Sequence, residues 1–443
     1  MNNKDTNKKY TVSFTTLGCK VNQFETEAMS ELLEKEGFEV VQENVSDIYI
    51  INTCAVTNES ERKSRQFINK AKRINPNAIV VAVGCSVQLH GEKISKDTTA
   101  DIIIGTKNKG NIGKLLKEKL SHMEQDSEVI IESFHGQECF EELKISSVHD
   151  KTRANIKIQD GCSQFCSYCI IPYVRGPIRS RNHEDIVKEV KDIAANGYKE
   201  IVLNGIHISS YGKEIKEQDA LIKLIEDMNK VEGIERIRLG SLEPNLITED
   251  FIIRYSSLEK TCDHFHLSLQ SGSNSVLERM NRKYTAEQYK NNVELIRKYM
   301  PDAGITTDII VGFPGETDEE FNETMEFVKK VRFSRIHVFK YSIREGTKAA
   351  EMTDQVDDIV KSERSRVLIE LGEEVSNEFM KKYVGKDVSV LVETEKTENL
   401  FEGYTTNYLK VLLKSDINIR NTIVDVHVKN VGNDYLTGEY SAI

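Results

Sequence analysis

Three thiols fall within one short stretch of this chain, Gly161-Cys162-Ser163-Gln164-Phe165-Cys166-Ser167-Tyr168-Cys169, separated by three residues and then by two. A loop this short can aim all three sulfurs at one object. Three thiolates with no fourth nearby suit an iron–sulfur cube with one iron left open, since such clusters are held by soft sulfur ligands. A structural zinc knot is the alternative. It ordinarily takes a fourth ligand in a paired arrangement, and neither His183 nor Cys139 stands at a usual spacing for it.

Three further cysteines share a different property. Cys19 lies in Thr16-Leu17-Gly18-Cys19-Lys20-Val21-Asn22-Gln23, Cys54 closes Ile50-Ile51-Asn52-Thr53-Cys54, and Cys85 closes Val83-Gly84-Cys85. Each follows a strand-like run: Val12–Leu17, Asp47–Asn52 and Ala78–Val83, with another run at Asp101–Ile104. Helical periodicity fills the intervals, notably Phe24–Lys35 and Ser60–Ile74. This alternation predicts an open, mainly parallel sheet covered by helices. Ligands of such sheets collect at the carboxyl ends of the strands, so the three cysteines are expected to meet in one crevice and hold a second metal site. Three buried structural cysteines are the plainer alternative.

The elements that position the first triad come next. Between residues 154 and 348 six strand-like runs alternate with helical ones: Asn155–Gln159, Glu200–Leu203, Arg236–Leu239, His264–Leu269, Ile305–Val311 and Arg335–Tyr341. The helical runs include His183–Asn196, Ala220–Val231, Thr285–Tyr299 and Glu319–Val328. Six units are too few for a closed eight-fold barrel, but Cys162 still follows the first strand, on the rim where barrel enzymes work. Polar residues end the other strands, among them Asn204, Gly205, His207, Glu243 and Gln270. The stretch from His122 to Asp150 is acidic and poorly periodic, and reads as a connection with a strand at Glu128–Ser133. Cys139 within it, and Cys262 further on, read as ordinary surface thiols. Asp354–Lys382 is a charged helix, followed by alternating strands at Val388–Val392, Tyr408–Leu413, Thr422–Val428 and Tyr435–Tyr440. They predict a small closed β-barrel of the kind that binds oligonucleotides.

Composition narrows the classes. At 443 residues, with 39% hydrophobic and 30% charged residues, the chain has ample core for two or three domains. Met1–Tyr10 is polar and lacks the apolar stretch of a signal peptide. No apolar run approaches membrane-spanning length. Eight cysteines in so long a chain do not read as a disulfide framework, so a reducing cytoplasm is expected. A formal charge of −11 argues against generic nucleic-acid binding. The last barrel adds no basic field, with eight Lys or Arg against nine Asp or Glu from Lys381 onward. Phe401, Tyr404 and Tyr408 either stack on bases or fill that barrel. Arg62, Lys63, Arg65, Lys70, Lys72 and Arg73, and then Arg279, Arg282 and Lys283, form basic clusters that also fit solvated helix faces.

The Cys-x3-Cys-x2-Cys loop, with an aromatic residue before its last cysteine, resembles the radical S-adenosylmethionine (SAM) superfamily. That resemblance implies a partial (β/α)6 barrel and a [4Fe-4S] cluster whose open iron chelates SAM. An electron from the cluster then splits SAM into methionine and a 5′-deoxyadenosyl radical. It also implies SAM contacts from Asn204-Gly205, where the superfamily often has Gly-Gly-Glu, with Glu243, Gln270 and Tyr168 as further candidates. Arg175, Arg179 and Arg181 would meet SAM carboxylate or RNA phosphate, or form a solvated rim. The amino-terminal region resembles the methylthiotransferases, which hold an auxiliary cluster with three such cysteines, here Cys19, Cys54 and Cys85. Gly-Cys-Lys-Val-Asn-Gln is most similar to the branch acting on threonylcarbamoyladenosine in tRNA, whereas the isopentenyladenosine branch usually reads Gly-Cys-Gln-Met-Asn. The carboxyl-terminal barrel resembles the TRAM module of tRNA-modifying enzymes. The resemblance therefore implies an amino-terminal domain at 9–121, a linker at 122–147, a radical SAM core at 148–379 and a TRAM domain at 380–443. The implied enzyme is a cytoplasmic tRNA methylthiotransferase acting at the anticodon stem-loop. It would use two [4Fe-4S] clusters, SAM, a reductant such as flavodoxin or ferredoxin, and a sulfur donor. Alternatives are isopentenyladenosine or a ribosomal-protein aspartate as substrate, or a non-catalytic zinc-stabilised RNA-binding protein.

Overall fold

Continuous apolar runs in the first hundred residues become strands buried on both faces, as a parallel sheet requires. The computed structural model describes residues 9–43, 45–122, 127–135, 138–145 and 152–440. The polar start at residues 1–8, the proposed core boundary at 148 and the end at 441–443 lie outside the described residues. Strands β1 (Thr11–Thr16), β2 (Glu39–Val40), β3 (Ile48–Thr53), β4 (Ile79–Gly84), β5 (Ile102–Ile104) and β6 (Glu128–Ile130) are all parallel, in the order 2-1-3-4-5-6. Strand β6 lies within the stretch read as a connection, where a longer strand was expected, and it extends the sheet.

Helices α1 (Lys20–Lys35) and α4 (Ile112–Ser121) cover one face, packing Met29, Leu33 and Leu116 against Val12, Ile50 and Val81. Helices α2 (Asn58–Ile74) and α3 (Cys85–Asp97) cover the other, with Ile68 and Val87 against Ile51, Val80 and Ile103. The strand order reverses between β1 and β3, and the crevice of such sheets opens at that switch point.

The central strands β7 (Arg153–Asp160), β9 (Glu200–Gly205), β10 (Arg236–Leu239), β12 (His264–Leu267), β13 (Gly304–Val311) and β14 (Arg335–Lys340) match the six expected runs. Short strand β8 (Arg179–Ser180) pairs antiparallel with β7, and β11 (Ser241–Leu242) pairs with β12. The ladders 10-9-7-8 and 11-12-13-14 join through a parallel bridge between Ile237 and Thr261, giving an open partial barrel. Alternate residues such as Ile156, Ile158, Ile201, Leu203, Ile237, Phe265 and Ile305 pack outward into the core with the helices. Their neighbours Asn155, Lys157, Asn204, Arg238, His264, His266, Thr306 and Asp308 are left facing the interior. The outer helices are α5 (Ile171–Arg175), α6 (His183–Ala195), α7 (Ala220–Asn229), α8 (Glu249–Ser256), α9 (Asn274–Arg279), α10 (Ala286–Tyr299) and α11 (Asp318–Val331), followed by the long α12 (Asp358–Lys381).

The carboxyl-terminal strands β15 (Asp387–Thr397), β16 (Leu400–Thr405), β17 (Lys410–Lys414), β18 (Ile423–Val431) and β19 (Leu436–Tyr440) close in the order 15-16-17-19-18. One of these, β16, was not foreseen because Gly403 read as a separator. It sits inside the strand instead, where a Cβ would strike the Leu391 carbonyl, and glycine in a strand often marks such close backbone approach. The β16–β17 turn plugs the amino-terminal end of the partial barrel. Arg236 Nη1 donates to Tyr404 O at 2.9 Å, and Arg238 Nη1 and Nη2 donate to Thr406 O and Thr405 O at 2.8 and 3.1 Å. Among the described residues no helix is long and apolar enough to cross a membrane.

Candidate metal centres and the barrel cavity

The first triad hangs from the end of β7. Gly161 holds φ +72°, and a Cβ there would strike the Pro177 carbonyl. This close approach lets Cys162 N donate to Gly176 O at 3.0 Å. The loop is pinned to the end of α9: Ser167 N and Oγ donate to Met280 O and Arg279 O at 3.0 and 2.8 Å. Gln164 N approaches Cys162 Sγ at 3.5 Å, and Arg282 Nη1 lies 3.2 Å from Cys166 Sγ. Burial pushes the Cys162 thiol up to about 11 and the Cys169 thiol to about 12, so a bound metal is what would turn these groups into thiolates. Gly161→Ala is expected to cost about 1–3 kcal/mol in backbone strain and to lower the iron bound by this loop, measured by iron analysis of purified protein.

The strand-end cysteines stand at the carboxyl ends of three neighbouring parallel strands. Cys19 caps α1 after β1, Cys54 follows β3, and Cys85 opens α3 directly after β4. A Cβ on Gly18 would stand 2.8 Å from Cys54 Sγ, so this sulfur lies against the backbone next to Cys19. Burial raises the Cys54 thiol to about 11, with Cys85 and Cys19 pushing it the same way. Val56 N approaches Cys54 Sγ at 3.4 Å, and Arg175 Nε lies 3.2 Å from Cys85 Sγ. Cys54 and Cys85 are buried, while Cys19 is exposed. Among the described residues no three His, Cys, Asp or Glu side chains converge on a single metal ion.

The remaining candidates line the partial barrel. Asn204 Nδ2 donates to Asn155 Oδ1 at 2.7 Å, and a Cβ on the adjacent Gly205 would stand 2.9 Å from Gln159 O. Glu243 accepts from Arg282 Nη2 at 2.6 Å and has His207 Nε2 at 3.7 Å. Burial would raise its carboxyl, but His207 and Arg282 outweigh burial and hold it below the ordinary range. Gln270 is left-handed (φ +72°) and bridges to β13 through its backbone. Tyr168 packs beside Phe313, Met280 and Tyr341.

Sequence similarity decides the family. The radical SAM superfamily matches residues 156–328, and the family described as Uncharacterized protein family UPF0004 matches residues 11–105. Threonylcarbamoyladenosine tRNA methylthiotransferase MtaB of Bacillus subtilis is 41% identical over 437 residues, spanning 97% of this chain and 96% of that protein. The chain belongs to the radical SAM tRNA methylthiotransferases. The enzyme of the same name from Aquifex aeolicus is 40% identical over 90% of this chain and 98% of its own length. A tRNA-2-methylthio-N(6)-dimethylallyladenosine synthase of Thermoanaerobacter is 41% identical over 88% and 83%. Among solved structures, the radical SAM methyltransferase TsrM of Kitasatospora setae superposes with a TM-score of 0.55 at 15% identity, covering 77% of each chain, which speaks to the fold alone.

This methylthiotransferase uses two [4Fe-4S] clusters and SAM. Its residues fit those groups: there are two cysteine triads, and in each triad one sulfur takes a backbone N–H and another takes a guanidinium. Several surrounding residues sit differently from the sequence reading. Arg175 and Arg181 are almost wholly buried and Arg179 nearly so. Arg181 pairs with Glu189 and Glu142, and Arg179 donates to the carbonyls of Arg175 and Pro177, so none forms a solvated rim. Arg282 is not on a solvated face either, because Glu243 and Cys166 draw it inward. Cys262 is fully buried between β10 and β12, where its N donates to Ile237 O, whereas Cys139 is exposed as expected. Phe401 fills the small barrel. Tyr404 and Tyr408 stack on each other at 5.1 Å under Arg153, and Arg238 lies over Tyr408, on the floor of the central barrel.

Proposed function

We propose that this methylthiotransferase converts N6-threonylcarbamoyladenosine, beside the anticodon of tRNA, to its 2-methylthio derivative. The observation that carries the nucleoside assignment is Lys20. It begins α1 next to Cys19; burial, with Arg153 and Arg238, pushes its ammonium below the ordinary lysine range, against the pull of Tyr408 and Glu200. Among the described residues it makes no hydrogen bond or ion pair. A free ammonium in the barrel cavity suits the carboxylate of the threonylcarbamoyl group and offers nothing to an isopentenyl hydrocarbon. The 41% identity of the Bacillus MtaB over 97% of this chain supports the same reading.

In this reading Cys162, Cys166 and Cys169 hold the cluster that binds SAM, and Cys19, Cys54 and Cys85 hold the auxiliary cluster that carries the sulfur. SAM supplies a methyl group in one use and a 5′-deoxyadenosyl radical in the other. Asn204, Gly205, Glu243, Gln270 and Tyr168 surround the SAM site, with Arg282 fixing Glu243 beside Cys166. A flavodoxin or ferredoxin supplies electrons and a separate donor supplies sulfur, in the cytoplasm. A radical is needed because carbon 2 of adenine offers no acidic proton and no leaving group.

The deciding experiment is mass spectrometry of tRNA nucleosides from cells lacking the gene, with and without a plasmid copy. Loss of 2-methylthio-N6-threonylcarbamoyladenosine and its return on complementation is the expected result; loss of the isopentenyl counterpart instead would reassign the substrate. Lys20→Gln is expected to lower kcat/KM for tRNA carrying threonylcarbamoyladenosine about 10- to 100-fold, the size of one charge-assisted hydrogen bond. Iron content and SAM cleavage without tRNA should stay unchanged.

A further inference from the structure

One guanidinium joins the two triads. Arg175 closes α5, which begins two residues after Cys169, and its side chain is fully buried. Its Nε donates to Cys85 Sγ at 3.2 Å, and its Nη2 donates to Asn22 Oδ1 at 2.8 Å and Glu25 Oε2 at 3.1 Å. Its Nη1 pairs with Glu25 and, at 3.3 Å, with Asp160, the residue that ends β7 before Gly161. Glu25 also receives Lys109 at 3.3 Å and Lys157 at 2.8 Å, and Asp160 receives Lys157 at 2.6 Å. The loop of one centre therefore reaches a ligand candidate of the other through a single rigid side chain.

The charges of this island do not cancel. Lys109, Lys157 and Arg175 face Glu25 and Asp160, leaving one positive charge in excess before Arg179, 3.6 Å from Asp160, is counted. An uncompensated charge in a protein interior is costly. The anion placed to balance it is the Cys85 sulfur as a metal-bound thiolate, which Arg175 already touches. Guanidinium was also the appropriate choice over ammonium, because its planar fork reaches a sulfur, an amide and two carboxylates at once.

We propose that Arg175 is a positioning residue for the auxiliary centre, orienting Cys85 and raising the reduction potential of the cluster held there. The proposal rests on the assignment of Cys19, Cys54 and Cys85 to that cluster. The potential of an iron–sulfur cluster follows its net charge and the hydrogen bonds to its sulfurs. A cation beside a ligand sulfur favours the form with the extra electron.

The test uses the full-length chain with Cys162, Cys166 and Cys169 replaced by Ala, so that the remaining iron belongs to the other triad. Redox titration followed by electron paramagnetic resonance reads its midpoint potential. Arg175→Gln is expected to lower the potential, and Arg175→Lys to lower it less, since the charge survives while the Nε–H donor is lost. Glu25→Gln removes a negative charge from the same island and is expected to raise it. Shifts of opposite sign cannot come from general loosening of the fold. If Arg175→Gln does not accumulate as folded protein, the Lys and Glu25 variants carry the same comparison. A cluster present in all variants at one unchanged potential overturns the role of Arg175 while leaving the ligand assignment intact. No iron retained in the Arg175-intact background overturns the ligand assignment, and the role of Arg175 with it.

Discussion

Cys162→Ala is expected to abolish SAM cleavage, whereas Cys54→Ala is expected to preserve cleavage and lose the methylthio product. Cys162 follows the first barrel strand, in the loop fastened to α9 through Ser167. Removing one of three thiolates from a cluster with an open iron leaves no full ligand set, and with it goes the electron source for breaking SAM. Cys54 belongs to a different body, at the end of β3 against the backbone of Gly18. Its loss is expected to disturb sulfur delivery while leaving the Cys162 loop in place. The measurement is chromatography with mass detection of 5′-deoxyadenosine and of the modified nucleoside, under dithionite. The first variant should give neither. The second should give 5′-deoxyadenosine, with the nucleoside left unmethylthiolated. Full product from Cys54→Ala would sink the division of labour between the triads.

What the sequence disclosed and what it concealed divide along a physical line. The strand-end positions of Cys19, Cys54 and Cys85 were legible because each ends an apolar run. The six barrel strands were legible for the same reason, since period-two burial writes itself locally. The partners of the cysteines were not. Arg175 reaches Cys85 across 90 residues and Arg282 reaches Cys166 across 116, and an arginine in a charged stretch reads as solvated until its carboxylates are known. Cys262 read as a surface thiol because it stands alone after a helix-like stretch, with no other cysteine near it in sequence. Tyr404 and Tyr408 read as base-stacking or barrel-filling residues because nothing local says that their turn enters the neighbouring barrel. Side chains that serve a distant element carry no periodicity of their own.

That turn also makes the joint most sensitive to a single substitution. Arg238→Leu is expected to destabilise the chain by about 3–5 kcal/mol, the cost of leaving one partner of a buried ion pair alone. Arg238 is 1% exposed and Glu200 fully buried; Arg238 Nε meets Glu200 Oε1 at 2.7 Å. Arg153 and Arg236, at 3.9 and 3.8 Å, are within ion-pair range of Glu200 but make no hydrogen bond to it, so they offset only part of that loss. The carbonyls of Thr405 and Thr406 lose their Arg238 donors in the same event, so the small barrel keeps only part of its anchor on the central one, through Arg236 and Tyr404 O. Urea unfolding reads the total effect, and hydrogen exchange should show the β16–β17 turn opening first. Glu200→Leu combined with Arg238→Leu should cost less than Arg238→Leu alone, because no buried carboxylate is then left uncompensated. If the double variant were as unstable as the single one, the damage would lie in the lost anchoring to Thr405 and Thr406 rather than in the stranded charge of Glu200.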